Sequence, residues 1–132
     1  MVYIEKTYAL ILGAVLTLIG ILGFIPGLAP GGNLLGIFAI DGAHNIVHLL
    51  SGIIGIAAGL SPYARYARWY ALAFGIVYGL VTIIGFIQGN TVLGLFVINT
   101  ADNILHLLIA VASLAVYFVA ENRERSVVTP AM

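Results

Sequence analysis

Four apolar stretches, each about as long as a membrane-spanning helix, make up most of this chain of 132 residues. These stretches span approximately residues 7–25, 41–60, 69–87 and 99–120. A helix needs roughly 20 residues to cross about 30 Å of hydrocarbon. The four prolines lie outside these stretches, so a helix in each stretch can keep its backbone hydrogen bonds. The sequence therefore predicts an all-α, integral membrane four-helix bundle that forms a single transmembrane domain over 1–132.

Composition supports the membrane prediction. Charged residues make up 8% of the chain and hydrophobic residues 62%, whereas soluble domains carry about 25% charged residues. Because so few polar residues cannot cover a water-facing surface, we expect the lipid bilayer to surround the protein. The formal net charge is zero and no basic run is present, so nucleic acid is not an expected partner. The absence of cysteine excludes disulfides and thiolate chemistry.

The basic residues predict the orientation in the membrane. They lie before the first stretch, between the second and third, and after the fourth, as Lys6, Arg65, Arg68, Arg123 and Arg125. The connections over about 26–40 and 88–98 contain no basic residue. By the positive-inside rule, both termini are expected in the cytoplasm and these two connections outside. The expected location is the inner (cytoplasmic) membrane, which the chain would cross several times.

The second half of the chain repeats the first. Tyr8-Ala-Leu-x-x-Gly13 recurs as Tyr70-Ala-Leu-x-x-Gly75, and the polar run that begins at residue 41 recurs at residue 99. This pattern predicts a tandem two-helix repeat, with repeat one over about 7–60 and repeat two over about 69–120. Since both copies would enter the membrane in the same direction, we expect parallel repeats related by a pseudo-two-fold axis along the membrane normal.

Two polar stripes mark the starts of the second and fourth spans. Residues spaced i, i+3, i+4 and i+7 lie on one face of a helix. The first stripe is Asp41, His44, Asn45 and His48, and the second is Asn99, Asp102, Asn103 and His106. Small residues continue both stripes, so we expect both faces to lie inside the bundle. The apolar segments 34–40 and 93–98, just before the stripes, are expected to be short interfacial or re-entrant pieces.

A structural interpretation explains part of this pattern. Asp and Asn are favoured N-cap residues, so Asp41 is expected to cap its helix, and Asn99 with Asp102 resembles a capping box. The expected structural network comprises Asn45, Asn99 and Asn103. Capping does not account for His48 and His106, which lie two turns inside their helices.

Functional interpretations start from the cost of ionisable groups in lipid, roughly 2.5–3.5 kcal/mol each on insertion scales. A divalent metal such as zinc is one candidate cofactor, with the ligands Asp41, His44, His48, Asp102 and His106. A haem with His48 and His106 as axial ligands is another. Proton or ion transport through the same cluster is the third interpretation. Below the histidines the stripes contain mainly Gly, Ala, Leu and Ile, which counts against a complete channel.

No catalytic residues are expected. The chain contains no nucleophile elbow, phosphate loop or dinucleotide fingerprint, so we do not predict an enzyme. The expected function is that of a small binding or accessory membrane protein, whose buried Asp/His/Asn cluster holds the helices together and binds a metal or haem. Glycine-rich helix faces and little mass outside the membrane favour a homo-oligomer or a subunit of a larger membrane complex.

Three runs also resemble a known family. They are Leu-Gly-Ile-Phe-Ala-Ile-Asp41-Gly-Ala-His44-Asn45-Ile-Val-His48, its counterpart from Phe96 to His106, and the Gly-Phe-Ile-Pro-Gly that starts at Gly23. Over nearly the whole chain, the sequence resembles the bacterial membrane family named domain of unknown function 4383. The resemblance implies a small four-span protein with an Asn-x-x-His-Asn-x-x-His pattern in its first half. Asp41 carries an acid where that pattern has Asn. The resemblance implies a fold but no particular activity.

Overall fold

The computed structural model describes residues 3–128, which form four long helices and two small β-hairpins. The helices are α1 Ile4–Leu22, α2 Gly42–Leu60, α3 Ala64–Gln88 and α4 Thr100–Val128. The strands are β1 Asn33–Leu34, β2 Phe38–Ala39, β3 Thr91–Val92 and β4 Phe96–Val97. All four helices are long and apolar enough to cross a membrane. The predicted all-α, multi-pass membrane fold is therefore confirmed.

The helices form two antiparallel pairs, α1 with α2 and α3 with α4. Glycine allows α1 and α2 to approach closely: a Cβ added to Gly13 would lie 2.6 Å from the backbone nitrogen of Ile56. Contacts between small residues are the usual way in which helices pack tightly in lipid. The shared core contains Leu12, Leu16, Tyr70, Tyr78 and Ile109. Each pair corresponds to one predicted repeat, while the repeat limits and the pseudo-two-fold axis stay predictions.

The Gly52→Ala substitution is expected to destabilise the bundle by about 1–3 kcal/mol, the usual cost of overpacking. The new methyl group would lie 2.3 Å from Thr17 Oγ1 and 2.4 Å from the Thr17 backbone nitrogen, so α1 and α2 must move apart. Gly79→Ala is the matched control, because its Cβ would meet nothing closer than the Ala110 Cβ at 3.9 Å. Reversible unfolding in mixed micelles measures both variants. Equal losses of stability would contradict a close approach specific to α1 and α2.

Charged residues extend two helices beyond the apolar stretches at one end of the bundle. We call this end, which carries Lys6, Arg65, Arg68, Arg123 and Arg125, the basic end. There Arg68 of α3 contacts both Glu121 and Glu124 of α4. The helices are longer than the apolar stretches at this end: α3 begins before residue 69 and α4 continues past residue 120. The ion pairs lie in these additional turns. The limits of the membrane spans themselves stay a prediction.

The two hairpins lie at the opposite end, which we call the hairpin end and which comprises residues 26–41 and 89–99. The segments expected to be interfacial or re-entrant form most of these hairpins, with Leu34 paired with Phe38 and Val92 with Phe96, and their position relative to the bilayer stays a prediction. Two consecutive positive φ angles at each tip, 53° and 74° in the first and 53° and 68° in the second, indicate type I′ turns. Type I′ turns match the right-handed twist of paired strands. The two strands of each hairpin can therefore bond each other through their backbones.

Candidate metal centre

Side-chain caps begin both helices that carry the polar stripes. The Asp41 Oδ1 accepts a hydrogen bond from the His44 backbone N–H at 2.8 Å. In α4 the Asn99 Oδ1 accepts from the Asp102 N–H at 3.0 Å, while the Asp102 Oδ2 accepts from the Asn99 N–H at 2.8 Å. These reciprocal bonds form a capping box. The caps predicted from the sequence are present.

The same side chains also bond the two halves of the chain to each other. The second oxygen of Asp41, Oδ2, accepts from the Val97 N–H of the other half at 2.8 Å. Asp102 Oδ2 accepts from the Ala39 N–H at 3.0 Å. Asn99 Nδ2 donates to the Ile37 carbonyl at 2.8 Å. Each acid therefore caps its own helix and also holds the opposite hairpin, which fixes the start of α2 relative to the start of α4.

Three histidines meet within the bundle, just past the caps. His44 and His48 of α2 and His106 of α4 are 1%, 3% and 1% exposed, and we call them the histidine cluster. The ring centroid of His44 lies 4.4 Å from that of His48 and 5.7 Å from that of His106. One ring nitrogen from each residue lies within 4.8 Å of the other two.

The ring nitrogens of the histidine cluster have no hydrogen-bond partner among residues 3–128, although both Nδ1 and Nε2 of each ring are buried. Most buried polar atoms in proteins are bonded, and each unbonded one costs about 1–3 kcal/mol. Six such atoms in one place therefore require an explanation. Capping and helix packing do not provide one, since neither uses the imidazole rings.

A cavity of about 30 Å³ adjoins the cluster, lined by the three imidazoles with Ser51, Tyr78 and apolar side chains. A water molecule needs about 10–15 Å³ on this measure, so an ion with a water molecule fits. Tyr78 comes from α3 and was missed in the sequence analysis. Tyr78 lies three residues after Gly75 and four before Thr82, on the small-residue face of α3. This spacing is the sequence pattern that places Tyr78 inside the bundle.

The asparagines of the two stripes lie against neighbouring helix ends. A Cβ on Gly23 would lie 2.0 Å from Asn45 Oδ1, and a Cβ on Gly85 would lie 2.1 Å from Asn103 Oδ1. Asn45 therefore packs on the end of α1, and Asn103 packs on α3 near its end. Asn99 bonds the cap and the first hairpin, as described above. A single hydrogen-bonded network of the three asparagines stays a prediction.

The structure brings together three of the five residues predicted as metal ligands, namely His44, His48 and His106. The carboxylates of Asp41 and Asp102 bond backbone N–H groups instead of joining the cluster. The ring nitrogens lie close enough together that small rotations of the imidazoles would bring one from each residue onto a single metal ion. A haem between His48 and His106 does not fit, because the cavity of about 30 Å³ beside them is far smaller than a porphyrin.

Tyrosines of α1 and α3 place further polar groups between the cluster and the basic end. The Tyr70 hydroxyl donates to the Ser51 carbonyl at 3.2 Å. The Tyr8 hydroxyl and Ser113 Oγ share a hydrogen bond of 2.6 Å. These groups lie on α1 and α3, outside the two polar stripes of α2 and α4, so the spacing of the stripes does not indicate them. The interior of the bundle is therefore less apolar on this side than the two stripes indicate.

Comparisons with known proteins agree with this architecture. The model of one protein family matches residues 6–119. No curated protein and no solved structure matches the chain. The match covers most of both helix pairs, both hairpins and the whole histidine cluster, and it is the family that the sequence resembled. The chain therefore belongs to the family described as domain of unknown function (DUF4383).

Proposed function

We propose that this protein binds a divalent transition-metal ion such as zinc at His44, His48 and His106. The observation that carries the proposal is the set of six buried ring nitrogens without a partner among the described residues. A metal ion takes one nitrogen from each neutral imidazole and so bonds three of them at once. The proposed role is that of a binding or accessory protein without enzymatic activity, in the inner membrane with both termini in the cytoplasm.

The ligand set suits a metal site with an open position. Zinc sites of this kind use three protein ligands and leave a fourth position to water. Ser51 and Tyr78 line the adjoining cavity, where such a water molecule would lie. Bonds of about 2.0–2.1 Å to zinc place tetrahedral ligand nitrogens roughly 3.3 Å apart. Since the ring nitrogens here lie up to 4.8 Å apart, small rotations of the imidazoles would close the site.

Charge balance supports a divalent ion. Three neutral imidazoles supply no negative charge, and an uncompensated ion is costly in a membrane. Asp41 lies three residues before His44, and Asp102 lies four residues before His106. Two carboxyl groups thus lie about one helical turn from the ligands. Their combined charge would balance a doubly charged ion without direct coordination.

The test measures metal content and affinity on the purified full chain, by mass spectrometry of the metal and by titration with zinc. We expect one ion per chain in the wild type. His44→Ala, His48→Ala and His106→Ala are each expected to weaken binding by at least about 100-fold, since loss of an outer-shell partner alone costs about 10- to 100-fold. Ser113→Ala is the matched control, because it is buried in α4 two turns past His106. Helix content by circular dichroism checks folding.

Two results would contradict the metal proposal. One is a wild type that holds no stoichiometric zinc, copper, nickel or iron. The other is unchanged zinc affinity in a folded variant that lacks all three histidines. Either result would leave buried water molecules as the partners of the imidazoles, since such waters commonly bond polar atoms that the protein leaves unbonded.

Proton or ion transport through the cluster is the second candidate function. The observation that favours it is the presence of Tyr78, Tyr70 and Tyr8, which bring polar groups from the cavity toward the basic end. Proton relays in membranes use such interior chains. Flux into liposomes distinguishes the candidates: a flux that His106→Ala abolishes, in a protein without bound metal, would favour transport.

We also propose that the protein associates with itself or with a larger membrane complex. Apart from the hairpin end and the last turns of α4, the described residues lie mainly in membrane-length helices. An accessory role through contacts inside the bilayer suits such a chain. Chemical crosslinking in native membranes, before any detergent is added, tests this.

A further inference from the structure

A groove on the outside of the bundle runs between α2 and α3 near the basic end. Its volume is about 480 Å³, within the range of about 300–1,000 Å³ that small-molecule sites occupy. The α2 wall is formed by small side chains such as Ala57 and Ala58. The α3 wall includes the aromatic rings of Tyr66, Trp69 and Phe74. Apart from one polar end the lining is apolar, as suits a hydrocarbon chain.

One end of the groove is polar. Ser61 and Tyr66 bring hydroxyl groups to this end, next to the turn that joins α2 to α3. Arg65 lies here as well, with its guanidinium carbon 5.1 Å from the centroid of the Tyr66 ring. Its NH2 group donates to the Tyr66 hydroxyl at 3.4 Å. A cation, two hydroxyls and the Trp69 ring therefore lie together where the groove reaches the basic end.

Arg65 also differs from the other arginines in its charge pairing. Among residues 3–128, Arg68, Arg123 and Arg125 each form an ion pair with a glutamate, whereas Arg65 forms none. The Arg65 guanidinium lies over the rings of Tyr63 and Tyr66, but its positive charge has no acidic partner among these residues and is open to an anion. The groove that it adjoins supplies no acid.

We propose that this groove binds an anionic phospholipid, with an acyl chain between the α2 alanines and the α3 aromatic rings and the phosphate at Arg65. Tyr and Trp side chains prefer the level of the lipid headgroups, which is where Tyr66 and Trp69 lie in this arrangement. Basic residues at the cytoplasmic surface attract anionic lipid. The groove does not include the histidine cluster, so the lipid site is independent of the metal proposal.

The experiment uses the full chain in nanodiscs that contain equal amounts of phosphatidylglycerol and phosphatidylcholine, followed by native mass spectrometry. We expect the wild type to retain one phosphatidylglycerol per chain in preference to phosphatidylcholine. Arg65→Gln is expected to lower this retention roughly 5-fold, the effect of one basic residue near the membrane surface. Ala57→Phe places a ring in the groove from an exposed position and is expected to abolish retention of either lipid.

Arg125→Gln is the matched control, since it removes the same charge at the same end from a side chain that is 77% exposed and outside the groove. This variant should retain phosphatidylglycerol as the wild type does. Equal retention of both lipids by the wild type, or equal losses in Arg65→Gln and Arg125→Gln, would overturn the proposal. So would an Ala57→Phe variant that changes from dimer to monomer without a change in lipid, because the groove would then hold a second copy of the chain.

Discussion

Replacing Arg123 with methionine is expected to lower the free energy of unfolding by about 3–5 kcal/mol, the usual cost of leaving one charge of a buried ion pair alone. Arg123 NH2 donates to both carboxylate oxygens of Glu5, at 2.8 Å and 2.9 Å. Glu5 is 1% exposed, so water cannot replace these bonds without local opening. The ion pair joins the first turn of α1 to the last turns of α4.

Two variants separate this effect from general damage to α4. Arg125→Met removes an exposed i,i+4 ion pair with Glu121 and should cost only about 0.3–0.5 kcal/mol. Glu5→Gln combined with Arg123→Met removes both charges and should restore part of the loss. Unfolding in mixed micelles measures all three variants. A double variant as unstable as Arg123→Met alone would show that the buried charge is not the cause.

Asp102→Ala is the second large expected loss, about 2–4 kcal/mol. Loss of one side-chain acceptor from a capping box costs about 0.5–2 kcal/mol, and loss of a hydrogen bond between an N–H group and a charged side chain costs about 1.5–3 kcal/mol. Asp102 Oδ2 accepts from both the Asn99 and the Ala39 N–H groups, so one substitution removes both bonds. Hydrogen exchange at the Ala39 amide should become faster, although Ala39 lies in the other half of the chain.

Asp102→Asn keeps an acceptor oxygen and is expected to recover more than half of the stability lost in Asp102→Ala. Asn33→Ala is the control at the hairpin end, because the Asn33 side chain is only partly buried and makes one long bond to the Gly31 carbonyl, at 3.4 Å. It should change stability by less than about 0.5 kcal/mol. If exchange at Ala39 is unchanged in Asp102→Ala, the bond between the halves does not form.

The fold followed from local properties of the sequence. A run of about 20 apolar residues free of proline is sufficient to specify a membrane helix, and the structure has four. The hairpins were not predicted, because their tips have Leu-Gly where type I′ turns usually have Asn-Gly. Leu35 and Leu93 adopt positive φ angles that are uncommon for bulky residues. An apolar tip removes the polar signal by which such turns are recognised.

The site was predictable only in part. Helical spacing was sufficient to place His44, His48 and His106 on interior faces, where the structure has them. Spacing within one helix does not determine how α2 and α4 rotate and slide against each other. That offset decides that Asp41 and Asp102 bond the hairpins and that the space beside the imidazoles is too small for a haem. Tyr78 lines the cavity beside the histidines only because of the way α3 is rotated and placed against α2 and α4.

The bonds between the halves also bear on how the protein is made. A ribosome completes the first helix pair before the second exists, and Ala39 then lacks its acceptor, which comes 63 positions later in the chain. Asp41 Oδ2 likewise lacks its donor, the Val97 N–H, which comes 56 positions later in the chain. The hairpin ends of newly made α1 and α2 therefore lack these bonds until the second half of the chain has been made. Since His106 arrives with α4, a nascent chain cannot capture a metal ion with all three histidines until insertion is complete.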